Sequence, residues 1–492
     1  MKIEGIIKNK EIDYENLSDF GFRKLKNGYL ITNDFGYFHY LKEREFLSFL
    51  KGSLKNKKLK KQLEEKGFLK KDLTEMKPLF DRLTKRKSVF NNGPGLHIIV
   101  TTKRCNHNCI YCQASAQDMS KDDLDMSIET AKKTVDRIFE SPADNLTIEF
   151  QGGEPMANWE TVKYIVEYGR KKEQKTGKNL SFALITNLTL MTEKRLNFLV
   201  DKSVGICTSL DGPKELHNNN RPFAGNGNGY DLTVKWINRY KEKEKEVLEE
   251  GTGLPIMNAL VTVSAASLNY PKEIINEYLK HSFKGIHLRP LSYLGYSSGS
   301  AIKDIGYNVD RFFEFWKKGL EYIIDLNLEG IYFHERETRI ILKKIMTAED
   351  PGYTDLMSPC GAVRGQILYN YNGDIYTCDE GRMTGDEAFK IGNLEEDSYE
   401  DMVQGDVAQT VFSASTLENT TCDLCVYKPY CGICPVKNYS EHGTLFPKMK
   451  STDWCKLKTS QFDYLFEKLD EEKYRKVFEK WTGSRQVNKS DD

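Results

Sequence analysis

The sequence has no excess of charge of either sign, because its 492 residues include 72 lysines and arginines and 72 aspartates and glutamates. Binding to nucleic acid or to an anionic membrane usually requires a strongly basic surface, so this balance argues against both partners. No apolar run approaches the roughly 18 residues that a membrane span requires, and the first residues lack the apolar core of a signal peptide. These absences predict a cytoplasmic protein without a nucleic-acid or membrane partner.

Cysteine, by contrast, is abundant and clustered, with 11 copies in the chain. A cytosolic protein does not keep structural disulfides, so clustered thiols indicate a metal site or catalysis. All but one of the cysteines fall in two sets, at 105–112 and at 360–455. Cys207 stands alone inside a predicted strand, where a buried structural thiol is the simpler interpretation.

The pattern of apolar and polar residues changes along the chain. Short alternating stretches predict an N-terminal three-stranded meander over 22–25, 29–32 and 37–41, followed by helices over 45–50 and 54–69. Short apolar runs then alternate with amphipathic segments, which is typical of βαβ units and a parallel sheet. The predicted parallel strands cover 96–102, 146–150, 180–186, 204–209, 256–263 and 285–291.

Six such strands predict an α/β fold, a partial (β/α)6 barrel whose chemistry lies at the carboxyl ends of the strands. A helix over 128–138, capped by Ser127, connects the first two strands. From about residue 351 the chain is cysteine-rich and is expected to be loop-like.

The first cysteine set directly follows the first barrel strand and has the spacing Cys105-x3-Cys109-x2-Cys112. Three thiolates on one tight loop can hold three irons of a 4Fe-4S cube and leave the fourth iron without a protein ligand. The alternative is a zinc knuckle, but structural zinc requires four ligands, and His107 would have to supply the fourth.

This motif, with Tyr111 before its third cysteine, resembles the signature of the radical S-adenosylmethionine (SAM) enzymes. The resemblance implies that SAM chelates the open iron of the 4Fe-4S cluster, and that SAM cleavage yields a radical that takes a hydrogen atom from the substrate. Gly152, Gly153 and Glu154 follow the second strand and resemble the Gly-Gly-Glu-Pro motif that contacts the SAM amino group. Glycines permit that close approach of the backbone.

Looser matches to the same family follow the later strands. They are Asn187 after the third strand, Ser209 and Arg221 after the fourth, and Arg289 at the sixth. The resemblance implies that these residues contact the ribose, carboxylate or adenine of SAM. For Ser209 and Arg221 the alternatives are ordinary loop capping and a surface ion pair.

The second cysteine set resembles the SPASM extension of peptide-modifying radical SAM enzymes. The resemblance implies two auxiliary 4Fe-4S clusters, an outer one held by Cys422, Cys425, Cys431 and Cys455 and an inner one held by Cys360, Cys378 and Cys434. The sequence departs from the family pattern because two residues, not three, separate Cys431 from Cys434. The inner cluster lacks an evident fourth cysteine, so substrate, water or a non-cysteine ligand would complete it. A zinc ribbon is the alternative for the stretch 422–434 taken alone.

Asp379 directly follows Cys378, at a position that offers a carboxylate near the substrate in the enzymes that the chain resembles. Oxidation of a substrate after hydrogen abstraction must also release a proton, so a general base is chemically reasonable there. The alternative is an aspartate that caps a turn.

The N-terminal meander and helices resemble the leader-recognition domain of peptide maturases, which binds an extended leader at a sheet edge. The alternative is a small unit that only packs on the barrel. Over most of residues 20–455 the chain resembles the radical SAM maturase of the His-Xaa-Ser peptide system. The resemblance implies a ribosomally made precursor peptide with a leader, and an electron donor such as flavodoxin or ferredoxin. We expect an intrapeptide cross-link as the product.

Together these patterns predict five regions along the chain. They are a leader-recognition-like domain at 1–90, a radical SAM barrel at 91–310, a helical linker at 311–350, a SPASM domain at 351–470, and a helix end with a tail at 471–492. Two alternative functions stay open. An anaerobic sulfatase-maturing enzyme would share the barrel and both auxiliary clusters but needs no leader-recognition domain. A non-catalytic iron–sulfur electron carrier would need only the clusters and would not cleave SAM.

Overall fold

A computed structural model describes residues 11–88, 92–225, 227–249, 255–295 and 302–484. Parts of three predicted regions lie outside the described residues, namely 1–10 and 89–90 of the N-terminal domain, 91, 226, 250–254 and 296–301 of the barrel, and the tail at 485–492. Among the described helices, none is both long and apolar enough to cross a membrane.

The N-terminal unit is an antiparallel sheet followed by helices. Its strands are β1 (Gly21–Leu25), β2 (Gly28–Thr32) and β3 (Phe38–Leu41), and its helices are α1 (Glu43–Leu50), α2 (Lys57–Glu65) and α3 (Lys77–Lys87). β2 is the central strand, and its Tyr29 ring stacks on Phe46 of α1 with the ring centroids 4.2 Å apart. The predicted meander is confirmed. The helix predicted over 54–69 is shorter, because Asn56 caps its start and Gly67, beyond its end, has a φ of +76°.

The barrel alternates parallel strands with helices. The strands are β4 (Leu96–Thr102), β5 (Asn145–Gly152), β6 (Asn179–Thr186), β7 (Val204–Ser209), β8 (Asn258–Thr262), β9 (Gly285–Ile286) and β10 (Leu288–Arg289). The helices are α4 (Ile128–Ile138), α5 (Trp159–Thr176), α6 (Glu193–Asp201), α7 (Lys214–Asn220), α8 (Gly229–Glu249) and α9 (Pro271–Lys280). Parallel pairing in the order β10-β8-β7-β6-β5-β4 confirms the partial (β/α)6 barrel, and Ser127 caps α4 as predicted.

The remaining elements cover the barrel and continue its sheet. They are α10 (Ile302–Ile305), α11 (Val309–Leu328), β11 (His334–Glu335), α12 (Arg336–Met346), β12 (Gln366–Tyr369), β13 (Asp374–Tyr376), α13 (Asp379–Met383), β14 (Lys390–Asn393), α14 (Tyr399–Gln404), α15 (Asp406–Ala414), α16 (Pro435–His442), α17 (Asp453–Leu469) and α18 (Glu472–Thr482). The expectation of a loop-like region from residue 351 is therefore wrong. β12 is buried along its whole length and only four residues long, so it shows no alternating pattern.

Strand β12 joins the C-terminal region to the barrel, because it pairs in parallel with β4 from Gln366, opposite Leu96, to Tyr369, opposite Ile99. β13 and β14 then extend the same sheet in antiparallel pairing. The strand predicted over 285–291 is split at His287, since β10 pairs with β8 whereas β9 pairs with β11. The barrel and the C-terminal region thus share one continuous sheet.

The N-terminal unit docks on the segment 426–430 of the C-terminal region. The Thr32 hydroxyl donates a hydrogen bond to the Val426 carbonyl oxygen. The Lys428 ammonium lies 3.0 Å from a carboxylate oxygen of Asp34. These contacts place the N-terminal sheet directly beside the cysteines at 425 and 431.

Candidate active site

The carboxyl ends of the parallel strands surround a cavity of about 520 Å³. Both the barrel and the C-terminal region contribute to its walls. The predicted site residues that line it are Cys105, Cys109, Tyr111, Cys112, Gly152, Gly153, Glu154, Asn187, Ser209, Arg221, Arg289 and Asp379. The structure therefore brings these residues together at the end of the barrel where active sites of this architecture form.

The loop that carries Cys105, Cys109 and Cys112 is held by its backbone. The Cys105 N–H donates to the Gln117 carbonyl at 2.9 Å, and the Ile110 N–H donates to the Asn220 carbonyl at 3.0 Å. All three thiols are free and partly buried, and burial raises the pKa of Cys109 to about 11. One short, fixed loop thus presents three thiols to the cavity.

Gly152 and Gly153 are required where β5 approaches the start of this loop. A Cβ atom on Gly152, which has a φ of +143°, would lie 2.1 Å from the Thr102 carbonyl oxygen. A Cβ atom on Gly153 would lie 2.2 Å from the Arg104 carbonyl oxygen. Any larger residue would push the two segments apart, so the glycines set the position of the thiol loop.

The Glu154 side chain connects the ends of two strands beneath the thiol loop. Its buried carboxylate accepts hydrogen bonds from the Thr186 hydroxyl at 2.7 Å and from the Asn187 N–H at 2.8 Å, and burial raises its pKa. The Asn187 side chain in turn donates to the Asn106 side-chain oxygen at 2.9 Å and lies 3.9 Å from the Cys105 sulfur. Glu154 therefore orients Asn187 toward the first thiol.

Asp211 organises the next part of the wall, although sequence reasoning did not single it out. It accepts a short hydrogen bond from the Tyr111 hydroxyl, and its carboxylate lies 3.2 Å from Nε of Arg221. The Arg221 guanidinium also lies over the Tyr111 ring, 5.3 Å from its centroid, and 4.0 Å from the Cys109 sulfur. Ser209 ends β7 two residues earlier. An acidic residue two positions after a strand end was the available signal.

Two more arginines line the cavity, and they come from separate segments of the chain. Arg289 ends β10. Burial alone would lower the pKa of its guanidinium, but nearby groups that include Tyr353 and Asp355 of the C-terminal region raise this pKa overall. Arg336 begins α12 and was missed, because the two-residue strand before it shows no pattern. Burial raises the pKa of the Glu149 carboxyl, and the positive charges of both arginines partly offset this rise. Arg289 thus faces the C-terminal side of the cavity.

Asp379 lies on the C-terminal wall, at the start of α13. Its carboxylate accepts a hydrogen bond from the Gln366 side chain at 3.4 Å. The cap of α13 is Cys378, whose sulfur accepts a hydrogen bond from the Gly381 N–H at 3.3 Å. This geometry disfavours the interpretation of Asp379 as a turn cap and leaves its carboxylate facing the cavity.

The seven C-terminal thiols form two groups. The inner group is Cys360, Cys378 and Cys434, and the outer group is Cys422, Cys425, Cys431 and Cys455. Within each group the thiols are close enough for the charge of one to raise the pKa of another. The inner thiols share a buried apolar cluster with Phe389 and Val436. The structure therefore brings the thiols together in the two groups that the resemblance to SPASM implies.

The short spacing between Cys431 and Cys434 has a structural explanation. Gly432 is pressed against the backbone of Met357, so that a Cβ atom on it would lie 2.6 Å from the Met357 nitrogen and oxygen. Ile433 is buried. The chain crosses between the two thiol groups through these two residues, and Cys434 then caps α16.

The arrangement of donor atoms distinguishes between zinc and iron–sulfur clusters. Within the described chain, only Cys378, Asp379 and Glu380 bring three donor atoms within 4.8 Å of one another. Sulfurs around one zinc ion, with bonds of about 2.3 Å, would be about 3.8 Å apart. His107, which a zinc knuckle would need as its fourth ligand, packs on Phe223, and its Nδ1 lies 3.2 Å from the Arg221 carbonyl oxygen. No three of the described thiols therefore lie close enough together to share one zinc ion, which argues against a zinc knuckle or ribbon.

Two stretches of the chain match known family models. Residues 99–259 match the Radical SAM superfamily, and residues 360–434 match SPASM, an iron–sulfur cluster-binding domain. The first domain binds a 4Fe-4S cluster and SAM, and the second binds auxiliary iron–sulfur clusters. The fold class and the cofactors expected from the sequence are thereby confirmed.

Individual proteins match the chain over different lengths and at different identities. The radical SAM cyclopropyl synthase TigE of Paramaledivibacter caminithermalis is 22% identical over 72% of this chain and 70% of its own length. A cysteine-type anaerobic sulfatase-maturating enzyme of Clostridium perfringens strain 13 is 23% identical over 76% of this chain and 98% of its own. An uncharacterized protein of Methanocaldococcus jannaschii is 35% identical, but the match covers 26% of this chain and only 41% of that protein.

A solved structure shows the same fold. Native anSMEcpe with bound AdoMet and Kp18Cys peptide superimposes with a TM-score of 0.64 at 19% identity, over 78% of this chain and 100% of that one. At this identity the match establishes the architecture of the barrel and the C-terminal region.

Proposed function

We propose that this chain, with its radical SAM and SPASM domains, is a maturase that modifies a ribosomally made peptide and forms a cross-link within it. The observation that carries the proposal is the shared cavity, in which the thiol loop at 105–112 stands on one wall and Asp379 on the other. A substrate between these walls meets both a site for hydrogen abstraction and a carboxylate for proton removal.

The barrel wall is the SAM side of the proposed site. Cys105, Cys109 and Cys112 would hold the cluster, and the remaining contacts to SAM would come from Tyr111, Gly152, Gly153, Glu154, Asn187, Ser209, Arg221 and Arg289. SAM bound at this cluster supplies abstraction of a hydrogen atom by a 5′-deoxyadenosyl radical. Arg221 is well placed to bind the SAM carboxylate, since Asp211 holds its guanidinium beside Cys109.

The C-terminal wall is the side where we place proton transfer. Forming a cross-link by oxidation removes a hydrogen atom, a proton and an electron from the substrate, and the auxiliary clusters would accept the electron. Asp379 takes that proton in our proposal, because its carboxylate faces the cavity and is not used as a helix cap. The inner and outer thiol groups would hold the two auxiliary clusters.

The N-terminal unit is the proposed reader of the precursor's leader. β1 and β3 are the two edge strands of its described sheet, and an edge strand offers backbone groups to an added strand. We place the substrate in the His-Xaa-Ser class of peptide systems, with flavodoxin or ferredoxin as the electron donor and the cytoplasm as the location. The described helices without a membrane span and the balanced charge are compatible with that setting.

Maturation of a sulfatase is the second candidate function. It is supported by the match to the Clostridium perfringens enzyme, which extends over nearly the whole of that protein. The N-terminal unit favours the precursor-peptide proposal. Its separate three-stranded sheet has edge strands that could bind a leader, and a sulfatase-maturing enzyme needs no such domain.

The experiment is the intact mass of each short peptide encoded beside this gene, after anaerobic co-expression with the wild-type chain or with Cys105→Ala. A loss of two hydrogens with the wild type alone would support an oxidative cross-link and identify the substrate. Conversion of a sulfatase peptide, with no mass change in any neighbouring peptide, would favour the second candidate.

A further inference from the structure

The inner thiol group has one sulfur fewer than the outer group. A 4Fe-4S cube has four irons, so three thiols leave one iron to another ligand. Three carboxyl groups lie near the inner thiols, namely Asp355, Asp379 and Glu380. Carboxylate oxygen is a natural ligand for iron, so the surroundings of each carboxyl group decide which one is available.

Two of these carboxyl groups are engaged elsewhere. The Asp355 carboxylate lies 3.6 Å from the Lys437 ammonium and 3.3 Å from the Tyr353 hydroxyl. Asp379 faces the cavity and accepts the hydrogen bond from Gln366.

Glu380 is different because it is buried, with 7% of its surface exposed, and its carboxylate oxygen lies within 4.8 Å of one from the neighbouring Asp379. Two carboxylates this close repel each other, and the Lys437 ammonium, which also acts on Glu380, already lies 3.6 Å from Asp355, so a metal ion would stabilise the pair further. A buried acid in this position has a physical reason to exist if a metal neutralises it.

The position of Glu380 also fits the thiols. Its carboxylate oxygen and the Cys378 sulfur belong to the group of donor atoms that lie within 4.8 Å of one another. Its charge acts on Cys360 and Cys434 as well. Glu380 follows Cys378 by two residues in the first turn of α13, so the start of one helix fixes both donors.

We infer that the Glu380 carboxylate is the fourth ligand of the inner cluster. The inference rests on the proposed role of the inner thiols. It makes the inner cluster coordinatively closed, so the substrate does not bind to its iron. It also assigns different tasks to the two adjacent acids, since Glu380 binds metal and Asp379 is left to accept a proton.

The test uses the full-length, anaerobically reconstituted protein carrying Cys105→Ala, which removes the open iron of the SAM site. The probe is cyanide, which binds an iron that lacks a protein ligand, and the readout is the EPR spectrum of the reduced protein. With Glu380 present, cyanide should leave the spectrum unchanged. With Glu380→Ala added, cyanide should shift the g values. Asp379→Asn is the matched control, because it alters the adjacent carboxyl and should behave as the parent does.

Glu380→Cys keeps a fourth donor and covers the case in which the alanine variant loses its inner iron. This variant should stay unreactive toward cyanide while its own g values differ from those of the parent. The inference is overturned if cyanide already changes the parent spectrum, or if Glu380→Ala leaves both the spectrum and the cyanide response unaltered.

Iron content separates this inference from the proposed function. A parent protein with about eight irons, from two C-terminal clusters of four, that nevertheless reacts with cyanide would overturn only the ligand role of Glu380. A parent with about four irons would show that the inner cluster is absent, and would overturn its proposed ligands together with the inference.

Discussion

The thiol loop of the barrel and the C-terminal thiol groups place the same kind of side chain by different means. The barrel thiols lie within the span 105–112, on a loop fixed by the backbones of β4 and β5. The C-terminal thiols come from segments spread over 360–455. They meet because β12 joins the barrel sheet and because the N-terminal unit holds the segment 426–430. The first site is local in the sequence, whereas the others depend on contacts between three parts of the chain.

The largest effect should come from the barrel loop. Cys105→Ala removes one of three protein ligands, so we expect complete loss of 5′-deoxyadenosine formation. Because the C-terminal groups are built separately, about two thirds of the iron should remain. Chromatography of the nucleoside and iron analysis of the same sample check both statements. Persistent 5′-deoxyadenosine formation would contradict the assignment, and loss of all iron would contradict the separation of the sites.

A change on the C-terminal wall should uncouple the two walls rather than abolish both activities. Asp379→Asn keeps the shape of the side chain but cannot accept a proton. General bases typically contribute about 10²–10⁴-fold, so peptide product should fall by at least about 100-fold while SAM cleavage continues. The ratio of 5′-deoxyadenosine to modified peptide measures the effect. A ratio equal to that of the wild type would remove Asp379 from the proton-transfer step.

The contact between the N-terminal unit and the outer thiol group offers a more graded test. Arg86 is 5% exposed and donates to the Lys344 carbonyl at 2.8 Å and to the Pro429 carbonyl at 2.7 Å. Arg86→Ala would leave both carbonyls without this donor, a cost of about 2–4 kcal/mol. We expect the outer cluster to lose iron to a chelator faster than in the wild type.

Lys85→Ala is the control for this change, because Lys85 is exposed and its 3.3 Å ion pair with Glu349 lies at the surface. Iron release is followed by the decay of iron–sulfur absorbance. Equal rates for Arg86→Ala and the wild type would show that the outer group does not depend on the N-terminal unit.

The same contrast explains how much of the molecule could be predicted. Strand runs such as 96–102 and the adjacent cysteines at 105, 109 and 112 carry their information within a few residues, so the barrel and its thiol loop were predictable. The division of the C-terminal thiols followed from resemblance to a family pattern, since spacing alone does not state which cysteines meet.

Features that depend on tertiary contacts could not be predicted. β12 is too short to show a period, and its partner β4 lies far away in the sequence. Arg336 and Glu380 take part in the site through neighbours from other segments. The docking of residues 426–430 on the N-terminal sheet is of the same kind, because Thr32 and Val426 lie 394 residues apart in the sequence.

The smallest expected effect concerns a single hydrogen bond in that docking surface. Thr32 is buried in β2, and its hydroxyl donates to the carbonyl of Val426, the residue after Cys425. Thr32→Val keeps the shape but removes the donor, at a cost of about 1 kcal/mol. Iron release from the outer group should therefore accelerate slightly, by less than for Arg86→Ala. Thr32→Ser retains the hydroxyl and should stay closer to the wild type in the same chelator assay. If valine and serine behave alike, packing rather than this hydrogen bond positions the backbone beside Cys425.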